Sequence, residues 1–306
     1  MSSRLVLATI VLVAMLIGGN FTSLKFALDH TTPFLLAGMR TVIGGSALLA
    51  LARFRGERLP TRLHDLARIF VVSLSITTVS SGLLVYGVNR VPAGVASLVA
   101  STMPLFTALL SLLLLGTAIS LLGRVGLLVG FAGTVVLASP SLGGEAAAIG
   151  IGSLVLSAIA WAFGTVFMKW KDFSRVSPIM LVGVQLIMSA LVLIPFALTV
   201  EGTNGTDWSL GLLVPLLYSA IPANAVTFSL LATVVRRATP TQAAASAYLI
   251  PVFGVLFGWL LRSERLGLTE VVGGALVVAG VYLLVNANAR QAERAARLVN
   301  PVVAAD

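Results

Sequence analysis

Residues 90–138 read RVPAGVASLVASTMPLFTALLSLLLLGTAISLLGRVGLLVGFAGTVVLA, and residues 237–285 read RATPTQAAASAYLIPVFGVLFGWLLRSERLGLTEVVGGALVVAGVYLLV. The two stretches align without a gap at an offset of 147, and 14 of the 49 aligned positions are identical. An apolar composition inflates matches between leucines and alanines, so the shared prolines and glycines carry more weight. These pairs are Pro104/Pro251, Gly126/Gly273 and Gly133/Gly280. The chain therefore contains an internal repeat, and this repeat decides its fold.

The composition places the repeat in a membrane. Of 306 residues, 58% are hydrophobic and only 10% are charged, whereas soluble domains average about a quarter charged residues. Apolar runs recur along the chain, each near the roughly 20 residues that cross a hydrocarbon core. We predict an all-α membrane protein with ten transmembrane helices, over residues 5–26, 34–52, 68–88, 92–115, 121–138, 148–168, 178–200, 209–235, 240–261 and 268–287.

The basic residues predict the orientation. With the N-terminus in the cytoplasm, 15 of the 20 lysines and arginines fall in the segments on that side, and four fall on the other side. By the positive-inside rule, both termini are expected to be cytoplasmic. We expect a first five-helix repeat over residues 1–142, a second over 143–289 and a cytoplasmic tail over 290–306. Because five is odd, the second repeat enters the membrane inverted.

Inverted repeats favour a secondary transporter with its site near the membrane midplane, although duplication can also simply enlarge a helix bundle. None of the eleven acidic residues falls near the middle of a predicted span, which disfavours carboxylate-based proton antiport and tight selection of organic cations. No metalloprotease, Walker or nucleophile-elbow motif occurs, and both histidines lie outside the spans. We therefore expect no enzymatic activity and no cofactor or metal. A receptor or scaffold remains the alternative from another class.

Neutral polar and aromatic residues within the spans predict a site for a zwitterion of moderate polarity. Arg40, six residues into the second predicted helix, is the mid-membrane charge. It has either a packing or interfacial role or a role in binding a substrate carboxylate. Asn20 can likewise hydrogen-bond another helix, and Ser97 and Ser101 can serve close packing. The indole face of Trp161 can hold an aromatic group or an ammonium. The predicted substrate-binding residues are Asn20, Arg40, Thr78, Ser97, Ser101, Trp161, Thr165, Tyr218, Asn224, Ser246 and Tyr248, and the predicted helix kinks are Pro104 and Pro251.

The expected partners are an amino acid-like small molecule and the lipid bilayer. Nucleic acid is not expected, because the basic residues lie between apolar runs rather than on one face with interleaved aromatics. Gly126-x-x-x-Gly130 is a small-residue packing motif that can mark either a dimer face or contact within the bundle. We expect a monomer or a weak homodimer. Cysteine is absent, which excludes disulfides and thiol chemistry.

Several short motifs resemble one family. They are Gly18-Gly19-Asn20-Phe21 with Lys25, Pro33 with Arg40, Val91-Pro92-Ala93-Gly94 with Pro104, Trp161-Ala162-Phe163-Gly164-Thr165, and Pro251 with Glu264. Together with the 5+5 pattern they resemble the drug/metabolite transporter superfamily, in its ten-helix EamA-type branch, and within it bacterial aromatic amino acid exporters of the YddG type. The resemblance implies an exporter of the inner (plasma) membrane, which carries neutral or aromatic amino acids or related metabolites. It also implies a central cavity lined by helices 1, 3, 4, 6, 8 and 9.

Two departures qualify the resemblance. Small multidrug exporters of the same superfamily use a glutamate on their first helix, where this chain has the uncharged stretch 16–20. Thr117 stands in the first half where Glu264 stands in the second, and we expect this end-of-helix position to lie outside the substrate site. An exporter of drugs, nucleosides or sugar derivatives from the same superfamily remains the alternative.

Overall fold

The computed structural model of the chain describes residues 3–140, 144–202, 205–227, 230 and 246–299. These residues form helices and no strands, which confirms the all-α prediction. In chain order the helices are α1 (Ser3–Leu28), α2 (Pro33–Phe54), α3 (Leu63–Val88), α4 (Ala93–Leu115), α5 (Leu121–Ala138), α6 (Glu145–Trp170), α7 (Pro178–Val200), α8 (Leu210–Val226), α9 (Ser246–Arg262) and α10 (Leu268–Val299). Each of the ten predicted spans corresponds to one helix. Eight are long and apolar enough to cross a membrane, while α8 and α9 are shorter over their described residues.

The two halves begin their second helices in the same way. In α2 and α7 an extended hydroxyl residue, Thr32 or Ser177, precedes a proline that opens the helix. Proline suits the first helical turn, because its missing N–H is not needed there and its φ is already helical. The offset between these starts is 145, so the repeat extends upstream of residue 90.

The backbone departs from α-helical geometry at matching places. Within α3, Ser73–Val79 is π-helical, and within α8, Ile221–Val226 is π-helical; the offset of 147 superposes these segments. Short π segments within α-helices are frequent at functional sites. In contrast, α4 is interrupted by a turn at Ser101 and Thr102, just before Pro104, while Pro251 lies inside the continuous described part of α9.

Two helix pairs are each formed by counterparts from the two halves: α2 packs on α7, and α5 packs on α10. The other six helices form a connected series, in which α8 contacts α1, α1 contacts α9, α9 contacts α4, α4 contacts α6 and α6 contacts α3. The α2–α7 pair packs on α3 and α8, and the α5–α10 pair packs on α4 and α9. These six helices are the ones that the resemblance implies as cavity walls.

The glycine motif of α5 is used inside this chain. A Cβ added to Gly126 would lie 2.7 Å from the carbonyl oxygen of Gly280, and one added to Gly133 would lie 2.8 Å from that of Gly273. Such closeness needs glycine on both helices. The motif face is therefore covered by α10 within the bundle.

Contacts between loops show that the halves are inverted. The loop after α1 meets the loops after α7 and α9: Thr31 Oγ1 lies 3.0 Å from Thr206 Oγ1, and Asp29 pairs with Arg262. At the other end of the bundle, Arg68 in the second turn of α3 donates to the carbonyl of Asp172 after α6, at 2.9 Å. The corresponding loops after α1 and α6 thus lie at opposite ends. The first end carries the loops that follow odd-numbered helices, and we call it the odd-loop face. The second end is where α1 begins, and we call it the terminal face.

Candidate functional site

The contact between α7 and the π segment of α3 is hydrogen-bonded. Gln185 on α7 is 4% exposed. Its Nε2 donates to Thr77 Oγ1 at 2.5 Å, and its backbone carbonyl accepts from Ser73 Oγ at 2.7 Å. Buried polar groups are normally paired in this manner. In this half of the molecule, the position serves helix packing.

In the other half, the same position holds an arginine. The offset of 145 that matches Pro33 to Pro178 places Arg40 of α2 opposite Gln185, and the offset of 147 places Asn224 opposite Thr77. Helix α2 contacts the π segment of α8. One turn beyond Arg40, a Cβ added to Gly44 would lie 2.9 Å from the carbonyl oxygen of Ala220, at the start of that segment. The correspondence assigns Arg40 and Asn224 to the contact between α2 and the π segment of α8.

Unlike the contact between α7 and α3, the contact between α2 and α8 has hydrogen-bond donors without partners. Arg40 is 7% exposed, and its Nε and Nη1 are buried without a hydrogen-bond partner. Asn224 Nδ2 is also buried and unpaired. Among the described residues, no carboxylate lies within ion-pair distance of Arg40. The guanidinium therefore does not snorkel to an interface, which removes the interfacial interpretation of this side chain.

These donors favour an anionic ligand group. An unpaired buried polar group costs about 1–3 kcal/mol, and a charged one costs more. Donors cannot satisfy one another, and an acceptor from a ligand or from water would satisfy them. A guanidinium matches a carboxylate through two parallel N–H bonds. Unpaired donors of this kind can bind a carboxylate.

Further unpaired polar atoms lie at a similar depth. Asn20 Oδ1 on α1 is buried without a partner, and so are the hydroxyls of Thr22, Ser81 and Ser219. Counted at 1.5 Å per residue from the odd-loop ends of their helices, Asn20, Arg40, Ser81 and Ser219 lie about 10–14 Å deep. Helix α1 also contacts the π segment of α8. The Asn20 oxygen supplies an acceptor, which an ammonium group requires.

A groove of about 640 Å³ runs between α1, α8 and α9. Its walls are mainly apolar and include Met15, Val214, Phe257 and Leu261. Two polar side chains in the groove are Thr22, whose hydroxyl is unpaired, and Tyr218. Tyr218 donates to the carbonyl of Leu16 at 3.1 Å.

Other predicted site residues are engaged within the bundle. Thr78 donates to Ser189 on α7 at 3.1 Å. Ser97, fully buried, donates to the Gly94 carbonyl, and Ser101 donates to the Ser97 carbonyl, each at 2.7 Å. These hydroxyls support helix packing, so the candidate site does not include them.

The remaining predicted residues have other neighbours or side chains outside the described part of the chain. Thr165 donates to the carbonyl of half-buried Trp161 on α6. Tyr248 packs edge-on against Tyr282 of α10, with ring centroids 5.6 Å apart. The side chain of Ser246 lies outside the described residues. Binding roles for these residues remain predictions.

Thr22, Ser81 and Ser219 were missed by sequence reasoning. Each is a hydroxyl within an apolar helix, a pattern that is common in packing. For Ser81 and Ser219, no sequence signal separates them from hydroxyls such as Ser97. For Arg40 a signal exists in the repeat itself, since its counterpart is the neutral Gln185.

Similar proteins agree with this architecture. The model of the EamA-like transporter family matches twice, over residues 4–139 and 148–286. The chain is 31% identical to the uncharacterized transporter YvbV of Bacillus subtilis over 284 residues, 92% of each chain. It is 29% identical to the uncharacterized inner membrane transporter YedA of Escherichia coli K12 over 273 residues, covering 87% of this chain and 86% of that one.

One solved crystal structure shares the fold. It superposes with a TM-score of 0.62 at 21% sequence identity and covers 93% of this chain and 97% of that one. The two family matches correspond to the two halves of the helix bundle. This chain therefore belongs to the EamA-like transporter family and is a multi-pass membrane transporter rather than an enzyme.

Proposed function

We propose that this transporter exports neutral and aromatic amino acids, with Arg40 as the anchor for the substrate carboxylate. The observation that carries the proposal is the buried Arg40 guanidinium, whose Nε and Nη1 have no partner. The Asn224 amide, on the π segment that α2 contacts, is also unpaired. The ammonium group of the substrate is accepted by Asn20 Oδ1. The ligand then supplies what the buried polar groups lack.

The charge balance favours a zwitterion over other solutes. A phosphorylated substrate calls for several cations, and Arg40 is the one cation among the unpaired buried groups of the described chain. An organic cation calls for an acid, and the sequence places none in the middle of a span. The groove beside Tyr218 and Thr22 has room for an apolar or aromatic side chain. Amino acids with apolar side chains combine these features.

The inverted halves support alternating access. We assign the first repeat to residues 1–142, the second to 143–289 and the tail to 290–306. Two nearly equivalent packings can exchange roles around a shared site, opening it to one side and then to the other. The excess of basic residues supports cytoplasmic termini and thus a periplasmic odd-loop face. Export as the net direction follows from the family resemblance.

Uptake into proteoliposomes tests this proposal. Labelled phenylalanine, threonine and methionine are each offered to the purified protein, with phenylalanine methyl ester and phenethylamine as competitors that lack the free carboxylate. We expect saturable phenylalanine uptake that the free amino acids inhibit and the two carboxylate-free amines do not. Absence of saturable uptake for all three amino acids would overturn the substrate class, and equal inhibition by phenethylamine would overturn the role of Arg40.

A further inference from the structure

The ends of α4 and α9 are joined at the odd-loop face by one carboxylate. Glu264 follows α9 and accepts hydrogen bonds from the backbone N–H groups of Ala93, at 2.8 Å, and Gly94, at 3.0 Å. These are the first residues of α4, whose N–H groups have no partner within the helix. A carboxylate there also interacts favourably with the positive end of the helix dipole. Glu264 thus bridges two helices of the central six.

The backbone around Glu264 is built to hold this contact. Ser263 adopts a φ of +54°, the one positive φ of a non-glycine residue in the described chain, which costs free energy unless the surroundings impose it. A Cβ added to Gly258 of α9 would lie 2.5 Å from Glu264 Oε2. The carboxylate therefore occupies the space that a side chain at position 258 would take.

The first half repeats this turn without the carboxylate. Gly116 has a φ of +66°, and the N–H of Thr117 donates to the carbonyl of Ser111 at 3.2 Å. At an offset of 147, the N–H of Glu264 donates to the carbonyl of Gly258, also at 3.2 Å. The backbones match, but Thr117 carries no charge. By the same offset the counterpart of Ala93 is Pro240, which has no N–H to donate.

A second connection at the odd-loop face also lacks a counterpart. Arg262 pairs with Asp29 and thereby joins the ends of α9 and α1. The guanidinium lies 4.9 Å from the ring centroid of Phe26 as well. At the offset of 147, Arg262 corresponds to Leu115. The odd-loop end of α9 is therefore joined to α1 by Arg262 and to α4 by Glu264. The first half has no charged residue at either of the two corresponding positions.

The α2–α7 pair shows the opposite behaviour. At the odd-loop face, Glu201 accepts from the N–H groups of Phe34, at 3.0 Å, and Leu35, at 3.1 Å. At the terminal face, Glu57, one residue after the counterpart of Glu201 at the offset of 145, accepts from the Ser177 hydroxyl before α7. This pair is joined by a carboxylate at both faces, as a static scaffold requires.

We infer that Glu264 is the latch that keeps the odd-loop face closed between α4 and α9, and that its release opens this face. The inference rests on the proposed alternating access. Because the terminal face has no equivalent latch in sequence, the odd-loop-closed state is favoured when no substrate is bound. Substrate binding must then supply the free energy that releases the carboxylate.

A single engineered cysteine tests the latch, since the natural chain has none. Ser101→Cys reports access between α4 and α9, because Ser101 is 7% exposed and lies about 12 Å from the start of α4. A membrane-impermeant maleimide is applied to vesicles from the odd-loop face, which Asp207→Cys identifies by its exposed position. We expect Glu264→Gln to raise the labelling rate about tenfold, the scale of one charge-assisted hydrogen bond.

Two further variants serve as a second test of the latch and as a control. Gly258→Ala displaces the carboxylate without changing Glu264 and is expected to raise labelling in the same way. Glu201→Gln alters the matching cap on the scaffold pair and is expected to leave labelling unchanged. Unchanged labelling in both latch variants, or an equal rise in Glu201→Gln, would overturn the latch. Because labelling needs no substrate, a response to Glu264→Gln without any amino acid uptake would reject the proposed substrate and retain the latch.

Discussion

Gln185 of α7 and Arg40 of α2 occupy the same position in the two halves, and each faces the π segment of the other half. Gln185 is hydrogen-bonded to Thr77, whereas Arg40 and Asn224 leave donors unpaired. Both contacts join a helix to a π segment, so their main difference lies in the side chains. One copy of the contact is hydrogen-bonded within the bundle, and in the proposed function the other binds the ligand. The comparison teaches that a duplicated fold can place different chemistry at corresponding positions.

The largest expected effect comes from making the two contacts alike. Arg40→Gln removes the charge and is expected to lower kcat/KM for phenylalanine uptake about 100-fold, since charge-assisted hydrogen bonds are worth about 1.5–3 kcal/mol each. The melting temperature should not fall, because an unpaired buried charge is removed. Uptake and thermal unfolding of the same preparation measure both effects. Arg124→Gln, an exposed position before the middle of α5, is the control; wild-type transport by Arg40→Gln would contradict the comparison.

Breaking the packed contact should affect stability rather than transport. Gln185→Leu leaves Thr77 without its buried partner, and the free energy of unfolding is expected to fall by about 1–3 kcal/mol. Uptake per folded molecule should change little. Thermal or denaturant unfolding, with uptake normalised to folded protein, checks the result. A large loss of normalised uptake at unchanged stability would place Gln185 in the transport site instead.

The first helices of the halves differ as well. Where α6 has Phe163 and Phe167, stacked at 6.3 Å, the offset of 144 places Gly19 and Ser23 of α1, which line the groove. Filling the groove should therefore change selectivity. Val214→Trp is expected to lower phenylalanine uptake about fivefold relative to threonine uptake, a modest steric discrimination.

A matched control exists for this substitution. Val214 is 63% exposed in the groove, and Val200 is 62% exposed outside it. Val200→Trp should leave the ratio of phenylalanine to threonine uptake unchanged. The ratio is measured by competition in the same proteoliposomes. An equal change in both variants would mean that the groove does not receive the substrate side chain.

The smallest expected effect concerns the loop after α6, the counterpart of the loop after α1. The Ser174 backbone N–H and hydroxyl donate to Asp172 and lower the pKa of its carboxyl. A lowered carboxyl pKa stabilises the folded loop above the ordinary aspartate pKa of about 4, and this stabilisation is lost as the pH falls through the lowered value. Amide hydrogen exchange of residues 172–176 should speed up in Asp172→Asn at neutral pH. The two proteins should converge in strong acid; a difference that persists there would contradict the assignment.

Much of the fold could be predicted because a membrane span can be recognised from a short stretch of sequence. A run of about 20 apolar residues needs no knowledge of its neighbours to be recognised as a span, and α5 begins and ends where its span was predicted. The inversion followed from the odd number of helices in a unit. The site was harder to predict, since Ser97 and Asn20 look alike in sequence. The full burial of Ser97 and the close approach of Gly254, whose added Cβ would lie 2.3 Å from Ser97, show that this serine is packed.

The sequence by itself determined the membrane environment, the ten spans and the duplication, because apolar length, charge placement and an aligned offset are properties of the chain alone. Tertiary structure decided which polar residues are paired. The π segments, the partner of Gln185 and the isolation of Arg40 depend on which helix lies opposite, and hydrogen bonds form across such contacts. The same holds for Glu264: its matching turn is visible in sequence, but the two N–H groups that it binds are brought to it by the packing of α4 on α9.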